Sequence, residues 1–209
     1  AGTRQPFHDP FPGEAHRTCR ARSYPHKKFK RLTKALASAS GVRIIDRAML
    51  NVLFLDTGNT SNSLIAESIL SASGRSHFHA YSAGCVSTGV VSQAVLAFLN
   101  ERNLPVEGLR SKGVRELTGP DAPPFAFVIT LSASATTAAR ERTFPGDPVV
   151  AHWHLDSDDE SEPNEPSVWA IRDAFWILSR RIKIFTSLPH GKRTRHQLEK
   201  RLRALQAWQ

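Results

Sequence analysis

Two kinds of apolar pattern alternate along this chain from residue 51 onward. Asn51–Leu55 is a short apolar run of the kind a strand buried on both faces requires. Small and polar residues follow from Asp56 to Ser61. Leu64, Ile65, Ile69 and Leu70 then recur at helical spacing. His77–Ser82 alternates and predicts a second strand, so that strand, helix and strand within about 30 residues read as one parallel βαβ unit. Val91, Val95, Phe98, Leu99 and Arg102 trace the next amphipathic helix. Phe125–Leu131, between Pro124 and a Ser/Ala cluster, predicts a third strand. Val149–Trp153, after the Pro145-Gly146-Asp147-Pro148 turn, predicts a fourth. Val168, Ile171, Phe175, Leu178, Ile182 and Phe185 stand alternately three and four apart, a sustained helical stripe, and Leu198, Leu202 and Leu205 mark a final basic helix. The order predicts a small α/β sandwich around a mostly parallel four-stranded sheet.

Residues 1–48 follow neither pattern. Pro6, Pro10, Pro12, Gly13 and Pro25 punctuate a polar stretch in which only a short helix, from about Lys28 to Ala39, is expected. Charge separates this stretch from the rest. It carries eleven Lys/Arg against Asp9, Glu14 and Asp46, a net of +8, which leaves +1 of the total +9 for everything after it. The favoured reading is a solvated, disordered tail, or an upstream stretch included by the choice of start. The alternative is a nucleic-acid-binding arm. The single methionine, Met49, directly precedes the first strand, and a translation start there would give a complete domain. The expected division is therefore 1–48, a basic extension, and 49–209, an α/β domain.

Of the 209 residues only Cys19 and Cys85 are cysteines, too few for a disulfide framework, which makes a reducing cytoplasm the expected setting. No run of 18 apolar residues occurs, and no membrane span is expected.

Candidate chemistry sits after the first strand. In parallel sheets, ligands bind beyond the carboxyl ends of strands. Here that place is Asp56-Thr57-Gly58-Asn59-Thr60-Ser61-Asn62-Ser63, opening into a helix. A loop that turns N–H groups inward at a helix N-terminus is an anion site. Gly58 permits the unusual dihedrals and Asn59 tolerates them. Taken alone, the loop is equally an ordinary strand-to-helix turn.

The string LFLDTGNTSNSLIAESIL resembles the phosphate loop of the low-molecular-weight tyrosine phosphatases and their arsenate reductase relatives. HAYSAG at His79–Gly84, GLRSK at Gly108–Lys112, FVIT at Phe127–Thr130 and AHW at Ala151–Trp153 resemble further family segments, the last strings tilting toward the reductase branch. The resemblance covers roughly residues 49–205. It implies a three-layer α/β sandwich, a phosphate-, arsenate- or sulfate-like oxyanion as ligand, no cofactor and no metal. The anion loop it implies is Thr57, Gly58, Asn59, Thr60, Ser61 and Ser63.

The same resemblance implies a degenerate site. Asp56 stands where the family has its nucleophilic Cys, and Asn62 where it has its clamping Arg. Ser132 and Arg140 align with the resolving Cys pair of thioredoxin-coupled reductases. The family's general-acid Asp falls in the stretch containing Asp156, Asp158 and Asp159, which reads equally as a solvated acidic loop. A thiolate attacks because loop N–H groups and the helix dipole lower its pKa; a carboxylate is a far weaker nucleophile and has no thiol redox chemistry. At Asp56 it also repels the substrate, by roughly 4 kcal/mol for unit charges about 4 Å apart at an effective dielectric of about 20. Asn62 cannot replace a bidentate guanidinium. Asp56 is also read as an internal ligand, its carboxylate folded into the cradle. Cys85, at a strand end, reads as an inert thiol rather than a substitute nucleophile. Three functions compete. One is a degenerate family member binding an oxyanion or a protein partner. Another is an enzyme working through Asp56 or another residue, as in phospho-aspartyl chemistry of the haloacid dehalogenase type, which needs Mg²⁺ and usually a second Asp where Gly58 stands. The third is nucleic-acid binding through residues 1–48, the least favoured.

The apolar stripes all lie after Met49, so the domain is expected to fold by itself. Limited proteolysis should cut before about residue 49 and leave a stable remainder. Loss of cooperative unfolding on deleting residues 1–48 contradicts this.

Overall fold

The computed structural model describes residues 49–74, 76–155, 165–190 and 194–206. The expected helix at Lys28–Ala39 and the positions Asp156, Asp158 and Asp159 lie outside them. Strand β1 (Leu50–Asp56) leads through the loop 57–61 into α1 (Asn62–Ser73), β2 (Phe78–Gly84), α2 (Gln93–Glu101), a 3-10 turn at Val114–Leu117, β3 (Phe127–Thr130), α3 (Ala133–Arg140), β4 (Val149–His152), α4 (Val168–Ser187) and α5 (Arg195–Leu205). The sheet order is β2-β1-β3-β4, and every pairing is parallel. After β1 the chain adds β2 on one side and then β3 on the other, so the order reverses at the carboxyl end of β1, where a crevice forms.

Alternation along β1 divides the core into two layers. Val52 and Phe54 pack with α1, α2, α4 and α5, whereas Leu53 and Leu55 pack with Val114, Leu117, Ala135 and Ala139 on the opposite face. Burying β1 on both faces is why its sequence is a continuous apolar run. The result is the expected three-layer α/β sandwich.

Three details depart from expectation. The third strand is shorter than Phe125–Leu131, because the N–H of Phe125 turns to the Pro145 carbonyl. Val91 falls outside the second helix, which is capped at Ser92. The Ser/Ala cluster expected as a boundary is α3, started by Ser132, whose hydroxyl accepts the N–H of Ala135.

Helix α4 carries Arg181 on its buried face, next to Ile182 and Leu178. Its guanidinium donates to the carbonyls of Trp153 (3.0 Å), His154 (3.1 Å) and Gln206 (3.0 Å). One side chain thus ties α4 to the end of β4 and the end of α5. No helix among the described residues is long and apolar enough to cross a membrane. Replacing Arg181 with Leu orphans three carbonyls and should lower stability by roughly 2–5 kcal/mol in urea denaturation. A change under about 0.5 kcal/mol contradicts the tethering role.

Candidate functional site

The loop after β1 is held from outside by its carbonyls. The Asp56 carbonyl accepts the N–H of Cys85 (2.9 Å), Thr57 that of Val86 (2.9 Å) and Thr60 that of Ser92 (3.1 Å), while the Ser111 hydroxyl donates to Gly58 (3.2 Å). A trans peptide points its N–H opposite to its C=O. Fixing these carbonyls outward therefore turns the N–H groups of Gly58, Asn59 and Ser61 to the other side. Among the described residues no acceptor receives the N–H of Gly58, Asn59, Thr60, Ser61, Asn62 or Ser63. Helix α1 adds to this: Ser61 makes no side-chain cap and the first turn holds no acid. Six N–H groups without an acceptor among the described residues thus stand at the positive end of the α1 dipole, the arrangement on which anion cradles are built.

Asn59 sets the loop's shape. It is left-handed (φ 54°) and fully buried. Its amide donates to the Ser63 hydroxyl (2.9 Å) and the Ser82 hydroxyl (2.8 Å), and its carbonyl oxygen accepts the N–H of Lys112 (2.7 Å). The Ser82 hydroxyl donates to the Glu67 carboxylate, which pairs with the Lys112 ammonium at 3.1 Å. This network joins the loop, α1, β2 and the segment before the 3-10 turn. Gly84 completes the fit: a Cβ there would stand 2.7 Å from the Gly58 carbonyl carbon and 2.9 Å from the Asn59 nitrogen.

Asp56 ends β1 and is nearly buried, as is Asn62 at the start of α1. Asp56 Oδ1 accepts the N–H of Thr57 (2.9 Å). Thr57 Oγ1 reaches the hydroxyls of Ser132 (3.1 Å) and Ser134 (2.6 Å), bringing α3 against the loop. Ser132 is thus at the site, while Arg140 closes α3 about 12 Å further along its axis. Cys85 is half-buried just past β2.

Sequence reasoning missed a histidine pair, His152 and His154, at the end of β4. The Thr130 hydroxyl lies 2.8 Å from His152 Nδ1 and 2.8 Å from the Thr136 hydroxyl, which lies 2.9 Å from His154 Nε2. Thr136 also donates to the Ser132 carbonyl (3.0 Å). The signal was present, since residues two apart at a strand end share a face. Burial first, then the charges of Arg140, His154 and Arg203, hold His152 below the usual histidine range. Glu165, beyond the undescribed acidic stretch, caps α2: its carboxylate accepts the Ser92 hydroxyl and the N–H of Ala94, and these bonds hold it below the usual carboxylate range.

With this geometry in place, comparison with known proteins gives a consistent result. The model of one protein family, the low molecular weight phosphotyrosine protein phosphatase, matches residues 51–156. Among solved structures, the chain resembles an arsenate reductase from Archaeoglobus fulgidus DSM 4304, with TM-score 0.50 and 25% identity over 66% of this chain and 99% of that one. It resembles a low molecular weight protein tyrosine phosphatase from T. tengcongensis, with TM-score 0.51 and 24% identity over 66% and 99%. It also resembles an arsenate reductase in the phosphate binding state, with TM-score 0.50 and 19% identity over 66% and 98%. No curated protein sequence matches the chain.

Two outcomes follow from the site. Replacing Asn59 with Ala strands the Lys112 N–H and two hydroxyls, and should cost about 1–3 kcal/mol in urea denaturation. Asn59→Gly relieves the left-handed backbone yet still loses the network, so it too should destabilise. Because folded His152 resists the proton that an unfolded histidine accepts near about pH 6.5, stability should fall as pH drops below that value. Unfolding midpoints at pH 7.5 and 5.5 should differ less in His152→Gln than in the native chain.

Proposed function

The chain belongs to the low molecular weight phosphotyrosine protein phosphatase family, and from that premise we propose that it is a degenerate member, an oxyanion-binding domain without the family's turnover. The observation that carries this reading is the loop itself. Six consecutive N–H groups, Gly58 to Ser63, have no acceptor among the described residues, while the position at their edge is a carboxylate, Asp56. The cradle suits a tetrahedral anion of the phosphate, arsenate or sulfate type. The relative in its phosphate binding state puts such an anion within the repertoire of this fold.

What the loop lacks is a nucleophile and a clamp. Attack on a bound oxyanion would have to come from Asp56, whose carboxylate repels that anion. No guanidinium projects from Asn62 to gather charge in the transition state. Ser132 can hydrogen-bond but cannot form a disulfide, and Arg140 stands at the other end of α3. A family-type general acid would come from Asp156 or Asp158, a proposal that rests on sequence position alone. The same holds for a protein partner, which would use the cradle or its rim.

The second reading is an enzyme that forms a phospho-aspartyl intermediate at Asp56. Turnover separates the two. The native chain should hydrolyse p-nitrophenyl phosphate, and reduce arsenate with a thiol reductant, no faster than a buffer control. The double variant Asp56→Cys, Asn62→Arg should hydrolyse the ester measurably. Native turnover that disappears in Asp56→Ala overturns the degenerate reading.

A further inference from the structure

Helix α5 carries its positive charge on one side. Leu198, Leu202 and Leu205 face the core and are buried. His196, Lys200 and Arg203, four and three residues apart, lie together on the opposite side, and all are exposed, as is Arg201 beside them. The one acid of α5, Glu199, is paired with Arg195 at 3.1 Å, and so is Asp147, in the turn before β4, at 2.9 Å. The stripe continues across the edge of the sheet. β4 is the edge strand, and the Trp153 indole just beyond it donates to the Leu202 carbonyl of α5. After burial, the charges of Arg140, His154 and Arg203 hold His152 below the usual histidine range, so guanidinium groups from α3 and α5 bear on one imidazole at the end of β4. Among the described residues no carboxylate offsets them there. Residues 49–209 carry a net charge of only +1, so this concentration belongs to one face and not to the domain as a whole.

Composition selects the occupant. A protein interface is built round an apolar or aromatic centre with charge at its rim. The exposed large apolar residues among the described ones, Val86, Val90, Val168, Trp169 and Trp176, lie on other elements, so the α5 face has no such centre. A helix that engages an anionic membrane buries apolar side chains between its cations. Those of α5 are committed to the core. What remains is an exposed, polar and strongly positive surface, the character of surfaces that meet a nucleic-acid backbone. Lys200 offers a point charge, and Arg201 and Arg203 offer forks that can take two phosphate oxygens at once. The stripe is about 10.5 Å long, a length over which one strand of a duplex presents about three phosphates. We propose that the α5 face, continued past the end of β4 to Arg140, binds a nucleic-acid duplex by its phosphate backbone, without reading base sequence.

The test is fluorescence anisotropy of the full chain on a short labelled DNA duplex, at salt concentrations from about 50 to about 200 mM. Circular dichroism confirms that each variant is folded. The native chain should bind, with an affinity that falls steeply with salt and is the same for a second duplex of unrelated sequence. Lys200→Gln, Arg201→Gln and Arg203→Gln, made together, should weaken binding by about tenfold or more at low salt and reduce the slope of log affinity against log salt by about three. Arg110→Gln, Arg115→Gln and Arg172→Gln, made together, remove the same net charge from other elements and should leave that slope within about one of the native value. A native chain that does not bind the duplex overturns the proposal. So does an α5 variant that behaves like the charge-matched control, which assigns the binding to residues 1–48 or to net charge alone. Tighter binding of the native chain to phosphatidylserine vesicles than to the duplex, with the same dependence on Lys200, Arg201 and Arg203, overturns it in favour of a membrane.

Discussion

The buried carboxamide of Asn59 is the contact on which the loop after β1 depends. A non-glycine residue at φ 54° is held against its own preference, and the hold comes from three hydrogen bonds to three separate parts of the chain. Ser63 begins the helix, Ser82 lies in the neighbouring strand, and Lys112 precedes the 3-10 turn. Glu67 closes the network by accepting from Ser82 and pairing with Lys112. A buried ion pair is a poor source of net stability, but one partner removed leaves a charge uncompensated, so it specifies one arrangement strongly. With Asn59 fixed, the carbonyls of Asp56, Thr57, Thr60 and Gly58 point outward to Cys85, Val86, Ser92 and Ser111, which turns the N–H groups of Gly58, Asn59 and Ser61 to the other side.

This arrangement separates the scaffold from the chemistry. The network is made by Asn59, Ser63, Glu67, Ser82 and Lys112, and neither Asp56 nor Asn62 belongs to it. Altering those two positions therefore leaves in place the hydrogen bonds that shape the loop. The carboxylate of Asp56, which accepts the N–H of Thr57, places a negative charge beside the loop that would oppose a bound anion.

Most of the fold was legible because burial on both faces leaves a plain mark. Strands β1 and β3 are nearly unbroken apolar runs, and α4 carries a long stripe. Helix α3 was not legible, since its buried face is Ala135, Thr136, Ala138 and Ala139, too small and polar to register as a stripe. The loop could be located from Asp56–Ser63, but its support could not. Glu67, Ser82 and Lys112 are ordinary polar residues until the fold brings them to Asn59 from far along the chain. The histidine pair was missed for the opposite reason: its spacing was visible, but its partners Thr130 and Thr136 come from other elements. Asp156 and Asp158 rest on sequence alone.

The claim that an intact cradle is opposed by one carboxylate is tested most directly by titrating inorganic phosphate into the native chain and into Asp56→Asn, following the backbone N–H resonances of Gly58–Ser63. Removing the charge should tighten binding by about tenfold or more, with the largest shifts on those six amides. Equal affinity in the two proteins, or shifts confined to other amides, would contradict the account.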